Sequence, residues 1–188
     1  MRSITIITTG GTIEKTYDER SGSLRNERSI IRRMLKRLRL VETSVNVIEL
    51  MSKDSLELTE ADRRRVLEVV RATGATTRDA DGRPESGGVV ILHGTDTLAE
   101  TGRVLHEHIA EPTAPIILTG AMRPFEMVRS DALQNLTEAI FATGALPPAI
   151  WCVAHGRSLR FPGVRKDTTL GTFVDDVIEP AEFRQRPH

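Results

Sequence analysis

The sequence predicts an α/β domain of three layers, a mainly parallel sheet with helices on both faces. Three observations carry that expectation. Four short runs, Ser3 to Thr8, Gly88 to His93, Pro115 to Thr119 and Ala149 to Val153, are apolar or β-branched along most of their length instead of alternating, as strands covered on both faces are. Between them lie stretches with apolar residues at helical spacing, and strands that alternate with helices pair in parallel through crossovers. At 188 residues the chain has the size of one domain and can bury about 70% of its unfolded surface, so residues 1–188 are expected to form a single unit.

Each element follows from its residues. Ser3 to Thr8 is rich in Ile and Thr and stops at Gly10-Gly11, where the backbone is free to take positive φ and to let a ligand approach its amides. Residues 13–26 are polar, contain Gly22 and have no apolar period, so they read as a loop able to act as a lid. From Glu27 to Leu40, Ile30, Ile31, Met34, Leu35 and Leu38 recur at helical spacing against a basic face. Val45, Val47, Ile48 and Leu50 make a second strand, followed by a turn from Ser52 to Thr59. Thr59 and Asp62 resemble a capping box for a helix that runs to about Thr73. Thr73 to Gly88, full of Gly, Asp, Arg and Pro, is a surface loop. The strand from Gly88 leads into a helix from about Leu98 to Ala110, and the strand from Pro115 into one from about Ser130 to Ala142. Ala149 to Val153 is the last clear strand.

Composition narrows the function classes. Formal net charge is zero with 28% charged residues, which gives no drive toward nucleic acid or an anionic membrane and favours small neutral or zwitterionic partners. No run of eighteen apolar residues and no apolar leader occurs, so a cytoplasmic protein without membrane association is expected. Cys152 sits in an apolar run and reads as an inert core thiol. The histidines lack metal-ligand spacing, and no metal or cofactor is expected; His93, at a strand end, reads as a core histidine. Arginines number 22 and lysines four. Arginine stays protonated, whereas a partly buried lysine can act as a base, so Lys15, Lys36, Lys53 and Lys166 each carry weight.

The chemistry gathers at strand ends. A hydroxyl, Thr12, follows the Gly-Gly turn at once, and in an open α/β sheet ligands bind outside the carboxyl ends of the strands. Two further strands end in His93-Gly94-Thr95-Asp96-Thr97 and Thr119-Gly120-Ala121-Met122-Arg123-Pro124. In a parallel sheet the three ends share one edge, and therefore can share one site.

Through Thr9-Gly10-Gly11-Thr12-Ile13, His93-Gly94-Thr95-Asp96-Thr97 and Leu118-Thr119-Gly120-Ala121-Met122-Arg123-Pro124, the sequence resembles the asparaginase and glutaminase family. The likeness runs from Ile4 to about Thr169 and matches the amino-terminal domain of the longer enzymes, so the chain looks like a short form lacking their second domain. The resemblance implies hydrolysis of L-asparagine to L-aspartate and ammonia through an acyl-enzyme, without metal or cofactor. It makes Thr12 the nucleophile, helped by Tyr17 in the loop, and matches Thr95, Asp96 and Lys166 to a second triad in which the lysine activates Thr95 or a water. Gly11, Gly94 and Ala121 fall at substrate-contact positions of these motifs. The segment Asp54 to Thr59 is similar to the family's substrate-carboxylate loop, with Ser55 as the binding serine, Ser52 as the alternative, and Glu57 close by. Leu56 stands where some members have glutamine, a departure that bears on asparagine against glutamine. In the longer enzymes the second domain of a neighbouring protomer completes the site. A homodimer or homotetramer is expected here, to cover the apolar surface left by its absence. Glutaminase or other amidase activity, or a non-catalytic amino-acid-binding module, are the competing readings.

Overall fold

The structure, a computed structural model, describes residues 1–176. The main strands are β1 (Arg2–Gly10), β4 (Thr43–Lys53), β5 (Val89–Leu92), β6 (Ile116–Thr119), β7 (Ile150–Ala154) and β8 (Arg157–Arg160). They form one sheet in the order β4-β1-β5-β6-β7-β8, parallel except for β8. The helices are α1 (Ile31–Leu35), α2 (Glu60–Ala72), α3 (Leu98–His108) and α4 (Ala132–Ala145). The expected three-layer α/β architecture is therefore present.

The doubly apolar strands explain the layering. Along β5, Val89 and Ile91 point into one core with Val66, Val70, Leu98 and Leu105, while Val90 and Leu92 point into a second with Ile31, Met34, Leu136 and Ala139. Thus α2 and α3 cover one face and α1 and α4 the other. Gly102 on α3 makes room for the ring of Phe161, which packs where any Cβ would sit.

Strand order reverses between β1 and β5: the chain steps from β1 to β4 on one side, then returns past β1 to β5 on the other. Ligands bind at such switch points in open α/β sheets, and here Gly11 and Gly94, each just past its strand, pack backbone to backbone. A second topological feature concerns α4. The connections through α2, α3 and α4 all step in the same direction across the sheet, yet α4 passes on the opposite face from α2 and α3. The hand of β6–α4–β7 is therefore the reverse of the others, which follow the usual right-handed rule.

Three local expectations need correction. Residues 13–26 are not simple loop: β2 (Thr16–Asp18) and β3 (Ser23–Arg25) pair antiparallel, closed by a turn in which Asp18 accepts from Arg20 N and Ser21 Oγ. The helix over Glu27–Leu40 shrinks to α1 because Ile30 at its start offers no side-chain cap and arginines crowd its exposed side, although Ile30, Ile31 and Met34 are buried as expected. Beyond Ala149–Val153 come three further four-residue strands, β8, β9 (Val164–Asp167) and β10 (Thr172–Asp175), too short and too polar to show in the apolar pattern. By contrast, the capping box is complete, since Asp62 N donates to Thr59 Oγ1 and Thr59 N to the Asp62 carboxylate.

Candidate active site

Neighbouring strand ends are drawn together backbone to backbone. A Cβ on Gly10 would lie 2.5 Å from Lys53 N, one on Gly11 would collide with Gly94 Cα, and one on Gly120 would collide with His93 O. Gly10 and Gly11 take φ of 97° and 81°, which glycine adopts without strain. Strand-end hydroxyls tighten the same seam: Thr9 Oγ1 donates to Leu92 O at 3.0 Å and Thr119 Oγ1 to Val153 O at 2.6 Å. The three motifs thus meet at one edge.

The glycine amides do not face a ligand, contrary to the expectation. Gly11 N donates to Lys53 O at 2.9 Å and Gly10 N to Glu14 Oε2 at 3.2 Å, so both are consumed in holding the turn. Their contribution is room for close approach. Thr12 follows, half-buried, as the first residue of a 3-10 turn from Thr12 to Glu14. Glu14 carries no mark in the sequence pattern; it is 1% exposed and also accepts from Ser29 Oγ. Burial pushes its carboxyl up to about 7, against the hydrogen bonds from Ser29 and Gly10.

Thr95, Asp96 and Lys166 come together although 70 residues separate the lysine from Asp96. Lys166 Nζ donates to Thr95 Oγ1 at 2.8 Å and to Asp96 Oδ1 at 2.7 Å. Thr95 is buried, while the Asp96 side chain keeps 43% of its surface open and so can meet an incoming cation. Lys166 reaches the pair from β9, which hydrogen-bonds to β10. His93, as expected, is a satisfied core histidine: its Nδ1 lies 2.8 Å from Gly94 O and its Nε2 2.8 Å from Thr101 Oγ1. Burial lowers its pKa to about 4, keeping the ring neutral.

Ser55, in the turn after β4, packs against Gly94. It begins a 3-10 turn capped by Asp54, whose side chain accepts from Leu56 N and from Lys15 Nζ at 2.7 Å. Lys15 holds the Asp54 carboxyl below its usual range. A Cβ on Gly94 would lie 2.5 Å from Ser55 Oγ, yet that hydroxyl, on a residue 2% exposed, has no hydrogen-bond partner among the described residues. A buried hydroxyl in this position keeps a donor and acceptor capacity that its neighbours do not use. Ser52 instead lies in β4 beside Gly10, and Glu57 is exposed.

Tyr17 and Ala121 differ in their exposure. Tyr17, 59% exposed on β2, makes no side-chain hydrogen bond among the described residues; its backbone N–H donates to Glu126 Oε2 at 3.3 Å. Ala121 is buried, and the loop after it is held by Asp131, which accepts from Met122 N and Arg123 N. Cys152 is buried, and burial pushes its thiol up, as an inert core thiol requires. Among the described residues no group of three or more His, Cys, Asp or Glu side chains could hold a metal, and no helix is long and apolar enough to cross a membrane.

Known proteins share both the sequence and the fold. Residues 3–172 match the family model described as asparaginase, N-terminal. L-asparaginase 1 of Escherichia coli is 30% identical over 151 residues, covering 78% of this chain and 41% of that protein. A glutamyl-tRNA(Gln) amidotransferase chain of Methanococcus vannielii is 26% identical over 156 residues, covering 83% and 35%. The solved structure of the thermostable L-asparaginase from Thermococcus kodakarensis superposes with a TM-score of 0.78 at 27% identity, over 92% of this chain and 51% of that one. The chain thus spans about half of that solved structure and a smaller share of the sequence relatives.

Proposed function

This chain belongs to the asparaginase family, as its amino-terminal domain, and from that membership we propose that it hydrolyses the side-chain amide of L-asparagine through a threonine acyl-enzyme. Thr12 Oγ attacks the amide carbon, its proton passes to the departing nitrogen, ammonia leaves, and water splits the resulting ester to release L-aspartate. Lys166 and Thr95 serve the proton transfers, with Tyr17 brought in by movement of its hairpin. Asp96 meets the substrate's α-ammonium with its open carboxylate oxygen, and Ser55 meets the α-carboxylate. Gly11, Gly94 and Ala121 supply the close walls, and Glu57 stands outside them.

The observation that carries this reading is Lys166 Nζ within 2.8 Å of Thr95 Oγ1 and 2.7 Å of Asp96 Oδ1. A solvated surface lysine would not be turned onto a buried hydroxyl. The test is ammonia release from L-asparagine by the wild type, Thr12→Ala and Lys166→Met. Each substitution is expected to lower kcat by about a hundredfold or more. Undiminished turnover in Thr12→Ala overturns the nucleophile.

The similarity to an amidotransferase supports a second reading, an amidase acting on glutamine, and exposed Leu56 beside Ser55 bears on that choice. Comparing ammonia release from the two amino acids separates them; calorimetric binding of asparagine without ammonia marks a non-catalytic module. A homodimer or homotetramer in the cytoplasm completes the proposal. Exposed Phe141 (72%) and Val128 (85%) support self-association, and sedimentation as a monomer at micromolar concentration removes it.

A further inference from the structure

Away from the residues so far given roles lies a cluster that neither the reaction nor the family motifs account for. Asp131, just ahead of α4, is the hub. Its carboxylate accepts from Met122 N at 2.9 Å, Arg123 N at 3.0 Å, Asn135 Nδ2 at 3.0 Å and His155 Nε2 at 2.7 Å. Burial alone would raise its pKa, but the hydrogen bonds from His155 and the two amides bring it down to about 2. Asn135, fully buried, adds Nδ2 to Gly120 O at 2.8 Å and accepts His155 N at 2.9 Å. His155 itself is held in a left-handed conformation, φ 54°, just beyond β7. Its other ring nitrogen, Nδ1, lies 2.8 Å from Thr172 Oγ1. Thr172 is the first residue of β10 and pairs with Asp167; the next rung is Phe173 with Lys166.

We propose that His155 is a positioning residue for Lys166: bridging Asp131 and Thr172, it ties the hairpin that delivers the lysine to the Gly120-Ala121-Met122 loop. The strain of a non-glycine residue at positive φ goes into aiming this ring. A hub with four donors on one carboxylate is rigid, so what it holds through His155 is held at fixed distance. Nε2 meets the Asp131 carboxylate and Nδ1 meets the Thr172 hydroxyl, so one ring spans the hub and the hairpin. Charged groups nearby are Asp131 itself, Glu138, which accepts Gly156 N, and Arg157, whose Nη1 donates to Phe173 O.

The inference rests on the proposed role of Lys166, so its test includes a readout that needs no turnover. Lys166 acetylation by a limiting amine-directed reagent is measured by mass spectrometry in the wild type, His155→Ala, His155→Gln and Thr172→Val, with exposed Lys36 as the internal reference. Thr172→Val cuts the bridge without touching Asp131 and stands in if His155→Ala does not fold. Lys166 labelling relative to Lys36 is expected to rise about fivefold or more in His155→Ala and Thr172→Val, and kcat for amide hydrolysis to fall about tenfold with KM within about twofold. His155→Gln, which keeps a donor and an acceptor, is expected to recover much of both. Unchanged Lys166 labelling in Thr172→Val overturns the inference. Altered labelling in a protein with no amidase activity on either amino acid upholds the brace and removes the functional reading instead.

Discussion

Gly94 and Ser55 occupy each other's space: a Cβ on the glycine would lie 2.5 Å from both Cβ and Oγ of the serine, although 39 residues separate them in the chain. The contact joins the β5 end to the turn after β4, and the site's dimensions depend on it.

Gly94→Ala is therefore expected to destabilise the fold by about 3 kcal/mol, the upper range for overpacking against atoms that cannot retreat. Adding Ser55→Gly should recover about half of the loss, because the clashing side chain is gone while Gly11 Cα stays close. Denaturant melts of the two single variants and the double variant check this; strict additivity would show that the contact is not tight.

Ser55→Ala separates stability from binding. Removing a buried hydroxyl without a partner should leave the melting temperature unchanged or raise stability by about 1 kcal/mol. If that hydroxyl meets the substrate's carboxylate, KM for asparagine rises about tenfold or more. A stabilised variant with unaltered KM would leave the orphaned oxygen without a ligand.

Glu14 sets a pH dependence whose sign is definite. Its carboxyl goes from 4.5 when unfolded to about 7 when folded, so between those values the native state binds the extra proton. Glu14's contribution to stability is thus fully present below about pH 4.5 and is lost as pH rises through 7, by about 3 kcal/mol in all. Glu49, the nearby carboxylate that adds to the shift, is paired with Arg32. Glu14→Gln keeps an acceptor for Gly10 N and is expected to be more stable than the wild type at pH 8 and about equal at pH 4.5. Melting curves across that range decide it, and parallel pH profiles for the two proteins would refute the assignment.

Glu126 tethers the Tyr17 hairpin, accepting Tyr17 N at 3.3 Å and pairing with Arg33 at 2.8 Å. Both contacts are exposed and weak, worth under about 1 kcal/mol. Glu126→Ala should leave the melting temperature within about 2 °C of the wild type and speed tryptic cleavage after Arg20 in the hairpin turn about threefold. An unaltered cleavage rate would mean that the hairpin is held elsewhere.

Much of this organisation was legible in the residues because parallel strands buried on both faces leave an unmistakable apolar run, and because β-branched runs ending in Gly-Thr mark where such strands stop. The motifs mark Thr95, Asp96 and Lys166 as candidates, and the structure adds the distances between them. What stayed hidden has a common cause. Glu14 is buried and Asp131 and His155 are half-buried single polar residues whose importance comes from contacts with distant segments, and such contacts leave no local period to read. Ser130-Asp131 ahead of a helix and His155-Gly156 just past a strand were faint signs of a cap and a turn. The hairpins β2–β3 and β9–β10 escaped because three or four residues of mixed polarity cannot establish an alternation.

The reversed hand of the β6–α4–β7 connection has a thermodynamic reason. From β5 onward every step goes the same way, so crossovers of uniform hand would stack α2, α3 and α4 on one side and leave the other to the five residues of α1. Val90, Leu92, Ile117 and Val153, now under α4, would then face water, at about 1.5 to 3 kcal/mol each. That solvation cost exceeds any preference in winding, so a half-sheet growing in a single direction can be upholstered on both sides only by breaking the rule once.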